Sequence, residues 1–109
     1  MNLIQRIVKV FSPKAQVAIS SKAILIDVRS SGEFKSGHIE GALNLPLDQI
    51  GKQITLQIKN LEAEVVVYCL SGIRSGSATR ILEQLGYSNV INGGGVRHLA
   101  LRLHARMIT

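Results

Sequence analysis

Two short runs in this chain are apolar at almost every position: Ala23-Ile24-Leu25-Ile26-Asp27-Val28 and Val65-Val66-Val67-Tyr68. A strand with one wet face alternates apolar and polar residues, whereas a strand covered on both faces does not. The two runs therefore predict strands held between layers of helix, and the segments around them carry the matching helical spacing. Ser30 to Ser36 reads as a short helix with Ser30 as its cap, Glu33 completing a capping box, and Gly37 ending it. Gly41 to Leu45 reads as another short strand, stopped by Pro46. Leu47, Ile50, Ile54 and Ile58 supply a helical face over residues 47–60, and Ala78, Ile81, Leu82 and Leu85 mark a further helix closed by Gly86. Asn89-Val90-Ile91 reads as a strand broken by Gly93-Gly94-Gly95, and Val96 to Met107 as a final helix. Strands alternating with helices imply an α/β fold, a small parallel sheet flanked by helices on both faces.

At 109 residues the chain has the length of one domain, and its 46% apolar share is that of a globular protein. Leu3, Ile4, Ile7, Val8 and Phe11 recur at helical spacing, with Arg6 and Lys9 on the other side. Ser12-Pro13 then opens a second short helix over Lys14 to Ser20. The reading is a single domain over 1–109, with 1–20 as a helical extension packed on or near it. A basic amphipathic segment such as 2–11 suits either a membrane surface or an end of the domain's own sheet, and the second is the expectation.

One cysteine excludes an internal disulfide and a cysteine-rich zinc site, and suits a reducing compartment. With no apolar run long enough to cross a bilayer and no continuous apolar centre near the N-terminus, the expected location is cytoplasmic. The formal charge of +6 favours encounter with small anions. Its basic residues are scattered from Arg6 to Arg106 without interleaved aromatic side chains, so no nucleic-acid partner is expected.

The cysteine, Cys69, stands where the second apolar run ends, opening Cys69-Leu70-Ser71-Gly72-Ile73-Arg74-Ser75 before a helix. Ligands of open parallel sheets bind beyond the carboxyl ends of strands. Gly72 lets the backbone turn tightly, so that several N–H groups face one point, and the following helix adds its first-turn donors. Both favour a thiolate, the reactive form. The expectation is an accessible, ionised Cys69 within a cradle made by Leu70, Ser71, Gly72, Ile73, Arg74 and Ser75. Arg74 either points inward to clamp an anion or outward to pair with an acidic neighbour. His38, His98 and His104 do not make a metal set, no metal site is expected, and His38 reads as a hydrogen-bonding residue near a turn.

Two separated motifs carry a family resemblance. The first is Ile26-Asp27-Val28-Arg29, then Glu33-Phe34, Gly37-His38-Ile39, Gly41-Ala42, Asn44 and Pro46. The second is Val67-Tyr68-Cys69 with Gly72 to Ser75, then Ala78, Leu82, Leu85-Gly86-Tyr87 and Gly93 to Gly95. Together they span most of residues 23–99 and resemble the rhodanese superfamily, specifically its single-domain sulfurtransferases. That resemblance implies a five-stranded parallel sheet and transfer of sulfane sulfur from a donor such as thiosulfate to a thiophilic acceptor, through a persulfide on Cys69. The acceptor would be cyanide, a cellular thiol or a carrier protein, and no cofactor is needed. Asp27 and Arg29 belong to the signature and read as an ion pair or loop cap near the strand end. A relay module that carries persulfide with little small-molecule turnover is the alternative. Phosphatases that share the fold have one more residue between cysteine and arginine. Here only Leu70, Ser71, Gly72 and Ile73 intervene, a tighter ring that suits sulfur better than a phosphoryl group.

Overall fold

The computed structural model describes residues 18–109. The amphipathic stretch 2–11 and most of the helix expected over 14–20 lie outside them. The described end of the latter, residues 18–20, is not helical. Instead the Ser20 N–H donates to Glu64 Oε1 at 2.9 Å, tying this end to the segment before the second apolar run.

The described residues form six strands and four helices in the order β1 (Ile24–Asp27), α1 (Ser31–Ser36), β2 (His38–Ile39), β3 (Leu43–Asn44), α2 (Ile50–Gln57), β4 (Val65–Cys69), α3 (Ile73–Gln84), β5 (Val90–Gly95), α4 (Val96–Leu103) and β6 (Met107–Ile108). The main sheet runs β3-β1-β4-β5, every neighbouring pair parallel. Alternate residues of β4 face opposite ways. Val65, Val67 and Cys69 join Ile54 and Leu82 of α2 and α3 in one core, whereas Val66 and Tyr68 join Leu99 of α4 in the other. All five β4 residues are consequently buried, which is why the run shows no polar alternation.

Among the described residues the parallel sheet has four strands, not five. β2 pairs antiparallel with β6, His38 opposite Ile108 and Ile39 opposite Met107, in a separate ribbon. The final helix therefore stops at Leu103 instead of running to Met107. His104 turns left-handed there (φ 52°), and its N–H reaches back to the carbonyls of Ala100 and Leu101. The capping box of α1 forms as expected, with the Glu33 N–H donating to Ser30 Oγ and the Ser30 N–H to Glu33 Oε1.

The largest departure from expectation is the glycine run. It continues β5 rather than breaking it, and the register slips within it: Val67 faces Asn92, but Tyr68 faces Gly94. Gly93 is the extra residue of this bulge. Only glycine fits, because a Cβ there would stand 2.9 Å from side-chain carbons of both Leu99 and Val66.

Candidate active site

The chain leaves β1 towards β3 and leaves β4 towards β5, so the loops after these adjacent strands depart in opposite directions. Between their carboxyl ends lies the crevice that such sheets offer to ligands. Cys69 ends β4 at that point. Gly72 takes up a left-handed conformation (φ 101°) that an L side chain rarely adopts, and α3 begins at the next residue. This bend folds the loop back over the sulfur. The Gly72 N–H points at Cys69 Sγ at 2.9 Å and the Ser75 N–H at 3.3 Å, while Ser75 Oγ lies 3.5 Å away.

The glycine run forms the back wall of this nest. A Cβ on Gly95 would approach the Leu70 carbonyl oxygen to 2.7 Å, and one on Gly72 would touch Gly94 Cα at 3.5 Å. Loop and strand thus approach to a distance that side chains would not permit.

Burial pushes the Cys69 thiol up. The Ser75 hydroxyl, when it turns to the thiolate, and the amides of Ser75, Gly72 and Ser71 together outweigh that effect and leave its pKa below the ordinary value. The expected inward-facing amides are therefore present. The expected accessibility is not: Cys69 exposes none of its surface and packs in the same core as Val67 and Leu82. The loop closes over it, carrying the side chains of Leu70 and Ile73 outward, 58% and 79% exposed. Of the six loop residues, Gly72 and Ser75 aim donors at the sulfur, Ser71 contributes its amide, and Leu70 and Ile73 face solvent.

Arg74 takes the pairing alternative, with an acidic neighbour as its partner. Its Nη1 and Nη2 donate to Glu33 Oε1 and Oε2 at 2.7 and 2.9 Å, a two-pronged bond between α3 and α1. The guanidinium holds the Glu33 carboxyl down at about 2, against desolvation and with help from Ser30. Glu33 thus serves two partners, capping α1 and anchoring the loop; only the first role is readable from local spacing. Beside Arg74 opens a cavity of about 550 Å³ with Val28, Pro46 and Leu47 as apolar lining and Ser30 and Asp48 as polar lining.

Asp27 and Arg29 brace the neighbouring loop. Arg29 Nη2 donates to Asp27 Oδ2 at 2.7 Å and to the Gly37 carbonyl at 2.6 Å, and both residues are buried. His38 Nδ1 lies 2.8 Å from the Phe34 carbonyl, so that nitrogen carries the proton, and its ring stacks on Phe34. Asn92 is the site neighbour that sequence reasoning missed. Its Oδ1 accepts from Ser75 Oγ at 2.7 Å and from the Gly94 N–H at 3.0 Å. Nothing in local spacing points to it, because strand pairing brings it there from 17 residues away. Among the described residues no cluster of three or more His, Cys, Asp or Glu side chains could hold a metal ion, and no helix is long and apolar enough to cross a membrane.

Residues 13–96 match the family of the rhodanese-like domain. The chain is 37% identical over 76 residues to thiosulfate sulfurtransferase PspE of Escherichia coli K12, covering 70% of this chain and 73% of that protein. Among solved structures it resembles a rhodanese with anions from E. coli (TM-score 0.74, 32% identity, 80% of this chain and 98% of the other). It also resembles the human single-domain sulfurtransferase TSTD1 (TM-score 0.65, 29% identity, 91% and 90%).

Proposed function

This chain belongs to the rhodanese-like domain family and is an enzyme of the rhodanese sulfurtransferase type, and from that premise we propose that it moves sulfane sulfur through a persulfide on Cys69. The Cys69 thiolate attacks the outer sulfur of a thiosulfate-like donor. The new S–S bond forms as the donor's own S–S bond breaks, and sulfite leaves with that electron pair. A thiolate or cyanide acceptor then attacks the outer sulfur of the persulfide and regenerates the Cys69 thiolate. Negative charge sits on sulfur at the same place before and after each step, so one fixed set of donors serves both.

The observation that carries this reading is the pair of backbone amides, Gly72 and Ser75, converging on Sγ. The four-residue spacing between Cys69 and Arg74 supports sulfur over phosphate, and the guanidinium of Arg74 is engaged by the Glu33 carboxylate. A cytoplasmic location is part of the proposal, supported by a lone free cysteine. The test is thiocyanate formation from thiosulfate and cyanide, expected for the wild type and lost in Cys69→Ala. Hydrolysis of phosphate esters without any sulfur transfer would contradict the proposal.

One observation favours a second reading, a persulfide relay between proteins. The sulfur is buried, while the apolar Leu70 and Ile73 beside it are exposed and suited to a docking partner. A relay module would load with sulfur yet return it to cyanide slowly. Leu70→Ser with Ile73→Ser would then leave loading unchanged and weaken transfer to a protein acceptor.

A further inference from the structure

Ser75 Oγ has a single proton and three acceptors around it: Asn92 Oδ1 at 2.7 Å, the Gly72 carbonyl at 3.0 Å and Cys69 Sγ at 3.5 Å. The orientation of the Asn92 amide is fixed by its other contact. The Gly94 N–H, 3.0 Å away, must meet an oxygen, so Oδ1 faces Gly94 and Ser75 and cannot donate to either. The bulge contributes directly: Asn92 is the last residue of β5 before the slip and pairs with Val67, whose side chain packs on the α3 side of the sheet. That register puts Asn92 over the first turn of α3, its Nδ2 3.6 Å from where a Cβ of Gly76 would be.

From this geometry we infer that Asn92 is a positioning residue that sets how readily Cys69 ionises, by competing with the sulfur for the Ser75 proton. With Cys69 protonated the three groups form a chain: the thiol donates to Ser75 Oγ, which donates to Asn92 Oδ1. Every member is satisfied, and the chain favours the thiol. Once the thiol proton leaves, Sγ faces a lone pair of Ser75 unless the hydroxyl turns, breaking its bond to Asn92 to donate to the thiolate. Asn92 thereby opposes the two amides that stabilise the anion. The residue at this position becomes a control on thiolate population that does not touch the sulfur. The inference deepens the reading of Cys69 as nucleophile, and its readout needs no sulfur donor.

The test follows the ultraviolet absorbance of the thiolate against pH, with Cys69→Ala as the blank; a single cysteine makes the assignment unambiguous. Asn92 is exposed overall, so replacing it leaves both cores intact. Asn92→Ala frees the Ser75 proton, with the Gly72 carbonyl as the remaining competitor. The thiolate-to-thiol ratio at fixed pH is expected to rise about three- to tenfold. Asn92→Asp keeps both accepted hydrogen bonds and holds the proton more firmly, so the ratio is expected to fall by about tenfold or more. In a Ser75→Ala background, Asn92→Ala is expected to have no effect. A ratio that is unchanged or lower in Asn92→Ala, unchanged or higher in Asn92→Asp, or equally raised by Asn92→Ala without the Ser75 hydroxyl, overturns the inference. Failure of thiocyanate formation with these ratios as expected would count against the sulfurtransfer reading alone.

Discussion

Gly95 lies so close beneath the loop that a Cβ added to it would stand 2.7 Å from a backbone oxygen, which cannot swing aside as a flexible side chain can. Gly95→Ala is expected to lift Leu70 and widen the amide ring, costing about 1–3 kcal/mol in a denaturant titration and a much larger share of sulfur-transfer rate. The mild Gly32→Ala, with open space around its Cβ, serves as the control. At the same scale, Cys69 alkylation should rise with pH around a midpoint below that of a free cysteine, because the donors outweigh burial. A midpoint at or above that of an unstructured cysteine peptide measured alongside would mean that the loop does not hold the thiolate. The place of Cys69 at the strand end, the turning glycine and the approach of Ser75 were legible in the sequence because they are neighbours along the chain. Asn92 and the buried state of the sulfur were not, because both arise from the bulge and the closure of the loop.

Between elements, the Glu33–Arg74 bond ties α1 to α3. A carboxyl whose pKa falls from 4.5 to about 2 on folding contributes stability above 4.5 that is lost as the pH drops towards 2. Both side chains are about a third exposed, so solvent screening limits the effect. Glu33→Gln and Arg74→Ala are each expected to cost about 0.5–1 kcal/mol at neutral pH, and the double variant less than their sum. The deficit of Glu33→Gln should vanish near pH 2 in acid titrations of stability. The helix α1 was legible to its cap because a capping box is local. The second duty of Glu33 depends on an approach over 41 residues. The end of α4 was misjudged for a similar reason: apolar spacing continues past Leu103, but pairing of Met107 with Ile39 draws the chain into a strand.

For the whole molecule, the parallel α/β layering followed from two runs without polar alternation, and the two cores on either side of β4 account for that pattern. A net charge of +6 should steer anionic donors. The second-order rate with thiosulfate is expected to fall as ionic strength rises, while the rate with an uncharged polysulfide donor stays nearly level. Equal salt dependence for both would assign no role to the basic surface. The sulfur-transfer expectations assume that sulfur is carried on one side chain. The direct measurement is the intact mass of the protein after incubation with thiosulfate. The account predicts a gain of one sulfur atom that cyanide removes and that Cys69→Ala never acquires; an unchanged mass with every sulfane donor, in folded protein, would contradict it.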